Sequence, residues 1–526
     1  MKKTIFLFAI LFNCTFLTAQ IMEIDALKFI QSDINGTARY TGMAGAFGAL
    51  GGDVSAIKDN PAGLGVYRSS DITITMNIMT QNTKAIWDGK NGNDRYYNTK
   101  LDNFAYVIAL PTWAQQNGFN SGLLYSNFSF SYNRLKNFNR NMLINGGRFN
   151  VSMSDYMADL VYFAEEHTGM FFGPDDMRYS NEDIAWLSVL GYNAFLINET
   201  ADGWQPELRD GERTIPTYTL EERGFVNEYA LAWSGNFSNR LYVGAGLNLQ
   251  AIDYSIYSTY NEDFVGSTGH YFELRNNFSA SGVGYNMKIG AIYQPADFVR
   301  LGFAFQTPTR FVMSDVYNPA IIYKLYSSAL NDKNVEYGLV SGSTSPDMSG
   351  TSDYKIKNPM RLNVSAAFFL GKKGLLSTEY VYNAYGNTMF YDTKNSIRDF
   401  ENQNDNMKNV LQDAHTIKIG VEFRATDNVS LRTGFATATA ATKQDAIKQM
   451  FSNTMRTDTE FFRHIGTNYF TAGLGYREKH WYLDVAYMHK QHNESFMPYE
   501  DIRNVLPAAK VTTSNNNIVA TFGFRF

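Results

Sequence analysis

The chain has 526 residues, of which 15% are aromatic and only 18% charged, with 46 basic against 51 acidic side chains and one cysteine. A net charge of −5 leaves no basic footprint for nucleic acid, and a lone cysteine excludes a disulfide framework and any multi-cysteine metal site. The length allows roughly two to four domains, although a β-barrel can exceed that prior as one.

Residues 1–20, MKKTIFLFAILFNCTFLTAQ, carry Lys2 and Lys3, then an apolar run, then Thr18-Ala19-Gln20. That order is expected of a secretory signal peptide cleaved near Gln20. Cys14 falls inside it, so the mature chain is expected to carry no thiol. After it, no apolar run approaches the ~18–20 residues of a membrane helix. A closed barrel is the remaining way to satisfy a backbone inside lipid.

Residues 21–69 precede any strand signal and hold glycines at 42, 45, 48 and 51. Asp53 can cap a short helical segment, which should stop by Asp59 because residues before proline avoid the α region. Asn60-Pro61-Ala62-Gly63 fits a type I turn. The glycines allow close backbone approach to a neighbouring surface. Neither a dinucleotide fingerprint nor a P-loop is present, so this stretch is expected to be a compact plug and not a phosphate loop.

From residue 70 onward, period-two alternation dominates. In TIKIGVEFR, Ile417, Ile419, Val421 and Phe423 alternate with Lys418, Gly420, Glu422 and Arg424. The pattern predicts strands near 70–80, 101–110, 122–133, 226–236, 240–256, 278–293, 298–308, 356–370, 375–386, 414–424, 429–440, 467–476, 480–489 and 515–526. Fourteen is an even number, as a single-chain barrel prefers, with twelve or sixteen the alternatives. Short connections such as Gly371-Lys372-Lys373-Gly374 fit periplasmic turns. The polar stretches 259–276, 311–353, 388–412, 441–465 and 490–513, and a much longer one at 134–225, fit external loops. In the last of these, 152–170 and 182–197 have helical spacing, either as a lipophilic capture site or as helices packed on each other. The fold class expected is therefore all-β: a transmembrane antiparallel barrel of about fourteen strands over 70–526, with an N-terminal lumenal plug and some helix in the external loops.

With apolar alternates facing lipid, Lys418, Glu422, Arg424, Arg432, Asp484 and Arg525 point inward, and Asp53, Lys58 and Asp59 are available to pair with them as a latch. A static, solvated interior is the alternative for any single charge. No G-x-S-x-G or H-E-x-x-H motif occurs. His489 and His492, and the group Asp175, Asp176, Glu182 and Asp183, read as solvated polar residues. No enzyme, cofactor or metal is expected. The final stretch alternates up to Phe526, and a terminal aromatic resembles the signal read by the barrel-assembly machinery.

The small-residue run Gly42-Met43-Ala44-Gly45-Ala46-Phe47-Gly48-Ala49, the Asp53-Val54-Ser55-Ala56 after it, and Asn60-Pro61-Ala62-Gly63-Leu64 before the first strand resemble the FadL/TodX family of outer-membrane transport proteins. The resemblance is local in 21–69 and architectural elsewhere. It implies a monomeric fourteen-stranded barrel in the outer membrane, with the N-terminal segment as a hatch. The implied ligands are hydrophobic small molecules, long-chain fatty acids or aromatic hydrocarbons, captured by external loops. The family's lateral exit beside a kinked third strand directs attention to Gly122 and Asn127; no ligand contacts carry over. Two other readings stand beside transport: a protein-interaction platform related to type IX secretion shuttles, and haem uptake, for which no axial-ligand pair is evident.

Overall fold

The computed structural model describes residues 23–208, 211–266, 270–326, 339–448, 450–500 and 506–526. The expected signal peptide, 1–20, lies outside the described residues, as do parts of the loops expected at 311–353 and 490–513.

Fourteen antiparallel strands form a closed wall. They are β1 (Asp71–Trp87), β2 (Lys90–Pro111), β3 (Leu123–Asn137, continued by Arg140–Asn145), β4 (Arg213–Phe237), β5 (Leu241–Val265), β6 (Tyr271–Ala296) and β7 (Val299–Gln306 and Thr309–Tyr326). The remainder are β8 (Gly350–Asn358 and Arg361–Leu370), β9 (Gly374–Asn383), β10 (Ala414–Arg424), β11 (Val429–Thr439), β12 (Phe461–Arg477), β13 (Trp481–Met497) and β14 (Ala509–Arg525). Closure is made by β1 running against β14 from the Asp71–Arg525 pair to the Ile86–Lys510 pair. The outward residues form an apolar band, clearest on β5 where Leu241, Val243, Leu247 and Leu249 are exposed while Tyr242, Asn248 and Gln250 are buried in the lumen. An exposed apolar girdle of this kind needs lipid around it.

The strands are longer than the alternation indicated. β4, β5 and β6 run 25, 25 and 26 residues, more than twice the ~9–11 that cross a bilayer. Their outer halves stand clear of the membrane, where polar residues such as Glu221, Arg223 and Asp253 replace apolar ones on the outward face, so the contrast that marks a strand fades. The long loop expected at 134–225 is accordingly confined to 146–212, and the one expected at 259–276 to 266–270. Proline misled in both directions. The strand expected to stop at Pro308 resumes at Thr309, whereas Pro359 interrupts a strand expected to be continuous. Thr309 pairs with Asn358 and Gln306 with Arg361, so the two prolines, each lacking a backbone donor, break adjacent strands at the same height.

Helices are few. α1 (Glu23–Ile30) and α2 (Ala38–Gly42) lie within the barrel, α3 (Trp113–Gln116) sits in the β2–β3 turn, and α4 (Met153–Thr168), α5 (Trp186–Asn193) and α6 (Glu401–Val410) belong to the external loops. Ser152 caps α4, and its hydroxyl and the Met153 N–H donate to the Glu262 carboxylate on β5 at 2.5 and 2.9 Å. α4 and α5 bury their apolar faces on each other: the Ser188 hydroxyl donates to the Met157 carbonyl at 2.8 Å, and Leu160, Val161, Leu187 and Leu190 are buried. Between capture site and mutual packing, packing describes these two faces.

Candidate transport site

Residues 23–70 run through the lumen, and local sequence explains each bend. Thr37 caps α2 by accepting from the Tyr40 N–H, and Asp53 caps a 3-10 turn, Val54–Lys58, by accepting from Ser55. Asn60 caps a second, Pro61–Val66, with proline in its first turn. The Gly63 N–H donates to the Asn60 carbonyl at 3.1 Å, the bond of the expected turn, but the chain coils on into a 3-10 helix instead of leaving directly for the wall. Gly48 lies so close to β8 and β9 that a Cβ there would be 2.6 Å from Ser365 Oγ and 2.9 Å from Glu379 Oε2. Gly51 has φ +60° and faces Gly63, whose Cα a Cβ would meet at 2.7 Å. Gly42 approaches Gly473 on β12, and Gly45 folds under the Tyr40 ring.

The wall reciprocates, which sequence reasoning missed. Gly244, Gly290, Gly302, Gly420 and Gly434 all sit at inward positions where a Cβ would collide with the segment between Met43 and Ala62. Glycine at an inward strand position was readable, as at Gly420 in TIKIGVEFR, but registers only as a non-apolar alternate unless the thing it makes room for is known.

Charge ties segment to wall at several places, including Asp33 to Lys490 on β13 at 2.5 Å. Asp59 receives Arg361 at 3.1 Å, lies 3.7 Å from Lys418, and accepts the Tyr40 hydroxyl at 2.5 Å. Lys418 also pairs with Glu379 at 2.7 Å, and Glu379 accepts the backbone N–H groups of Phe47 and Gly48 at 3.1 and 2.7 Å. Burial alone would raise the Asp59 carboxyl, but Lys418 and Arg361 more than offset it and hold the group well below the usual carboxylate range. Nearer the end of the barrel that carries the short turns, Arg39 pairs with Glu422 at 2.9 Å. Glu422 also takes Arg432 at 2.6 Å, and Arg432 reaches Asp484 at 2.5 Å.

Of the charges expected in the latch, Asp59 meets Lys418, and Glu422 meets Arg432, which meets Asp484. Four do not tie segment to wall: Arg525 pairs instead with Asp71 on β1 at 3.3 Å, and Arg424, Lys58 and Asp53 make no such pair. Arg424 lies exposed at the rim and pairs with none of these carboxylates, because β10 ends there and its last inward position already faces solvent. Lys58 stays within the segment, donating to the Asn35 carbonyl and covering the Tyr40 ring at 4.5 Å. Asp53 likewise serves the segment, accepting the Thr37 hydroxyl at 2.8 Å. Burial pulls Lys58 down to about 8, with Asp59 opposing. Arg39, Arg361 and Glu379 complete the network and were not singled out in the sequence; Arg39 sits in the short helix α2 and the other two at unremarkable strand positions until the ring closes.

Above this network a cavity of about 240 Å³ separates segment and wall, lined by charged groups including Lys28, Asp33, Lys136, Arg140, Glu222 and Glu494. Its roof is apolar, with Phe29 of α1 edge-on to Phe138 and Tyr254 at 6.2 and 5.5 Å. An external loop reaches down to the same helix. The buried Arg456 pairs with Asp458 at 2.6 Å and with Asp25 of α1 at 3.0 Å, its guanidinium 4.2 Å from the Phe278 ring centre.

Beside the cavity the wall is split. β2 and β3 pair from Pro111–Tyr125 up to Asn103–Asn133 and no farther. β3 is bulged at Arg134/Lys136 and then bends inward. Its continuation crosses behind β1 and β2, where Thr83 donates to the Asn141 carbonyl and Asn145 to the Asn91 carbonyl, each at 3.0 Å. Gly122 and Asn127 are not the cause. Gly122 precedes the strand with φ +85°, and Asn127 is regularly paired while its side chain donates to the Leu64 and Tyr67 carbonyls of the lumenal segment at 2.9 and 3.0 Å.

No family model matches the chain, and no curated protein matches it by sequence. Among solved structures, a Pseudomonas aeruginosa FadL homologue aligns over 94% of this chain and 99% of its own, at 12% identity and a TM-score of 0.53. The chain has a FadL-type fold. The P. putida toluene transporter TodX covers 95% of this chain at 12% identity and a TM-score of 0.48, and the Ralstonia pickettii toluene transporter TbuX 95% at 13% and 0.47, with 99% and 100% of their own lengths aligned. In the FadL-type frame of this chain, the lumenal segment, the charged cavity and the β2–β3 split lie next to one another.

Asp59→Asn should leave Arg361 and Lys418 short of a partner and weaken docking of residues 38–66 by about 3 kcal/mol, read as lost hydrogen-exchange protection there with the wall strands unchanged. A pH series should show the contribution of Lys58. Its docked value lies below the ordinary 10.5, so between about 8 and that value the free segment binds more protons and docking strengthens as pH rises. Lys58→Met should flatten that slope in protection corrected for intrinsic exchange.

Proposed function

We propose that this chain is an outer-membrane channel for passive uptake of hydrophobic small molecules, long-chain fatty acids or aromatic hydrocarbons among them, and that it is not an enzyme. The observation that carries the proposal is the β2–β3 split. On the outer surface just below it, running from β2 and β3 across β4 and β5 to β6, lies an apolar groove of about 510 Å³ lined by Ile108, Phe128, Phe130, Trp233, Leu247 and Met287. On its inner side lies the cavity, which Lys136 and Asn137 of β3 line.

A hydrophobic cargo gains nothing by descending through Asp59, Lys418, Glu422 and Arg432 toward the periplasm. Moving sideways into lipid releases about 0.8 kcal/mol per buried methylene. The physical gradient therefore favours capture among the external loops, passage into the cavity as residues 23–70 shift, and lateral exit through the split. The segment acts as the hatch and its ion pairs as the latch. The FadL-type fold supports this reading, as does the apolar girdle that places the barrel in a membrane. A signal peptide delivers the chain, the barrel functions as a monomer, and Phe526 addresses it to the assembly machinery; the Phe526 main chain closes on Ser70 at 3.1 and 3.2 Å while its ring stays exposed.

A second reading, a platform for a protein partner, draws on one observation: Phe171, 93% exposed beside the exposed Met170 and Tyr162 on the external loop. Mass spectrometry of molecules retained in gentle detergent separates the two, a bound lipid or hydrocarbon favouring transport and a bound secreted protein the platform.

A Cβ on Gly42 would lie 3.6 Å from the Cβ of Ala486 on β13, close to disulfide spacing. In Gly42→Cys/Ala486→Cys, oxidation should abolish uptake of a labelled fatty acid and reduction restore it; uptake indifferent to the bond would show that the segment need not move. Binding across a saturated fatty-acid series should strengthen by roughly threefold to fourfold per methylene, and a flat series would sink apolar capture.

A further inference from the structure

The outward face of four adjacent strands, β13, β14, β1 and β2, carries a feature that passage through the lumen does not use. Its apolar band ends at Tyr487, Ile518 and Ile78, which are cross-strand neighbours. Beyond that row, toward the end with the long loops, the outward strand positions are polar except for Ile86 and Met497, and none is Asp or Glu. Three are cations: Arg95, Lys84 and Lys510, all exposed. Register makes them diagonal neighbours. Lys84 pairs with Asn93, one outward step from Arg95, and with Thr512, one step from Lys510; Lys510 itself faces Ile86.

Diagonal positions on one sheet face are about 7–8 Å apart, and like charges at that spacing repel. None of the three forms an ion pair among the described residues. Arg95 is aimed along the face by neutral groups only, its Nε donating to Asn82 Oδ1 at 2.7 Å and Nη1 to the Tyr97 hydroxyl at 3.2 Å. Of the nearest acids, Glu494 and Asp94 occupy the inward phase of the alternation, and Asp88 in the β1–β2 turn lays its carboxylate against Gly147. Elsewhere at this height cations have acids beside them, as with Arg223 and Glu221 at 3.2 Å on β4 or Arg275 and Glu273 on β6. Among the described residues, the three-cation face therefore lacks the counter-anion that other exposed cations of the barrel have.

Height identifies what kind of anion. Two residues of a strand tilted as in such barrels advance about 5 Å along the membrane normal. Arg95 thus stands about 10 Å beyond the end of the apolar band and Lys510 about 20 Å. A glycerophospholipid carries its phosphate close to the acyl boundary and reaches only the first of these positions.

We propose that this face binds a lipid bearing several phosphates on an extended sugar headgroup, its acyl chains lying along Ile72, Ile74, Met76 and Ile78 and its phosphates on Arg95, Lys84 and Lys510. The site rests on the outer-membrane reading above, since that leaflet must supply the lipid. Arg95 offers a planar fork suited to a phosphate, while the lysines act as point charges. Tyr97 sits at the boundary between chains and headgroup, where an aromatic ring with a polar tip is favoured.

Native mass spectrometry tests the site on the full-length barrel reconstituted with bis-phosphorylated lipid A, with the same lipid dephosphorylated, or with phosphatidylglycerol. The wild type should retain the phosphorylated lipid about tenfold more than either of the others. Lys84→Gln/Arg95→Gln/Lys510→Gln should lose that preference, while Lys372→Gln/Lys373→Gln at the opposite rim should keep it; heat-modifiable gel mobility reports that each variant is a folded barrel. Equal retention of the dephosphorylated lipid, or an undiminished preference in the triple variant, overturns the site. Equal retention of phosphatidylglycerol reduces it to a generic anionic surface and overturns the extended-headgroup assignment. Uptake measured on the same preparations separates this from the transport reading: lost uptake with the lipid preference intact counts against transport alone.

Discussion

Closing fourteen strands into a ring fixes almost everything else about this molecule. A ring of that size encloses more space than inward side chains fill, and an open lumen would be an unselective aqueous pore. The chain fills it with its own residues 23–70. A polypeptide threaded through a lumen must satisfy its backbone groups and fit against a wall that already carries side chains. The capped 3-10 turns at Asp53 and Asn60 meet the first demand. Matched small residues meet the second, Gly48 against β8 and β9 and Gly420 and Gly434 against Met43 and Ala44.

Electrostatics then decides how firmly the segment sits. Its contacts with the wall centre on buried ion pairs, whose desolvation consumes much of the attraction between them. Such pairs fix register more than they add stability, and a register that other pairings can replace suits a part that shifts. The lower half of the lumen holds Asp59, Lys418, Glu422 and Arg432, while next to the cavity the inward bend of β3 ends its pairing with β2 at Asn103–Asn133.

The external loops and the lumenal segment are not independent. Trp186 of α5 donates its backbone N–H to the Thr454 carbonyl at 3.0 Å, and two residues on Arg456 reaches Asp25. Phe29 of the same lumenal helix is packed among Phe138, Tyr254 and the strand extensions that stand clear of the membrane. The external loops and the lumenal segment therefore share one hydrophobic core.

How much of this was legible in the chain follows from the physics of each part. Strand number and facing were readable because water on one side and lipid on the other impose a two-residue period, as in Ile417 to Phe423. The outer halves of β4, β5 and β6 were not, because above the membrane both faces are wet or packed and the period loses contrast. The caps at Asp53 and Asn60 were readable because capping is local. The partners of Asp59 were not: Arg361 and Lys418 stand about 300 residues or more away along the chain, and only ring closure brings them together. By itself the sequence determined a fourteen-stranded barrel with a glycine-rich segment before it, since periodicity and turn chemistry are properties of neighbours along the chain. The tertiary structure alone decided that Lys58 turns back into the segment, that Arg424 points to solvent, and that β3 leaves β2 above Asn133. Each depends on which distant strand happens to stand alongside, and that is settled only when β1 meets β14.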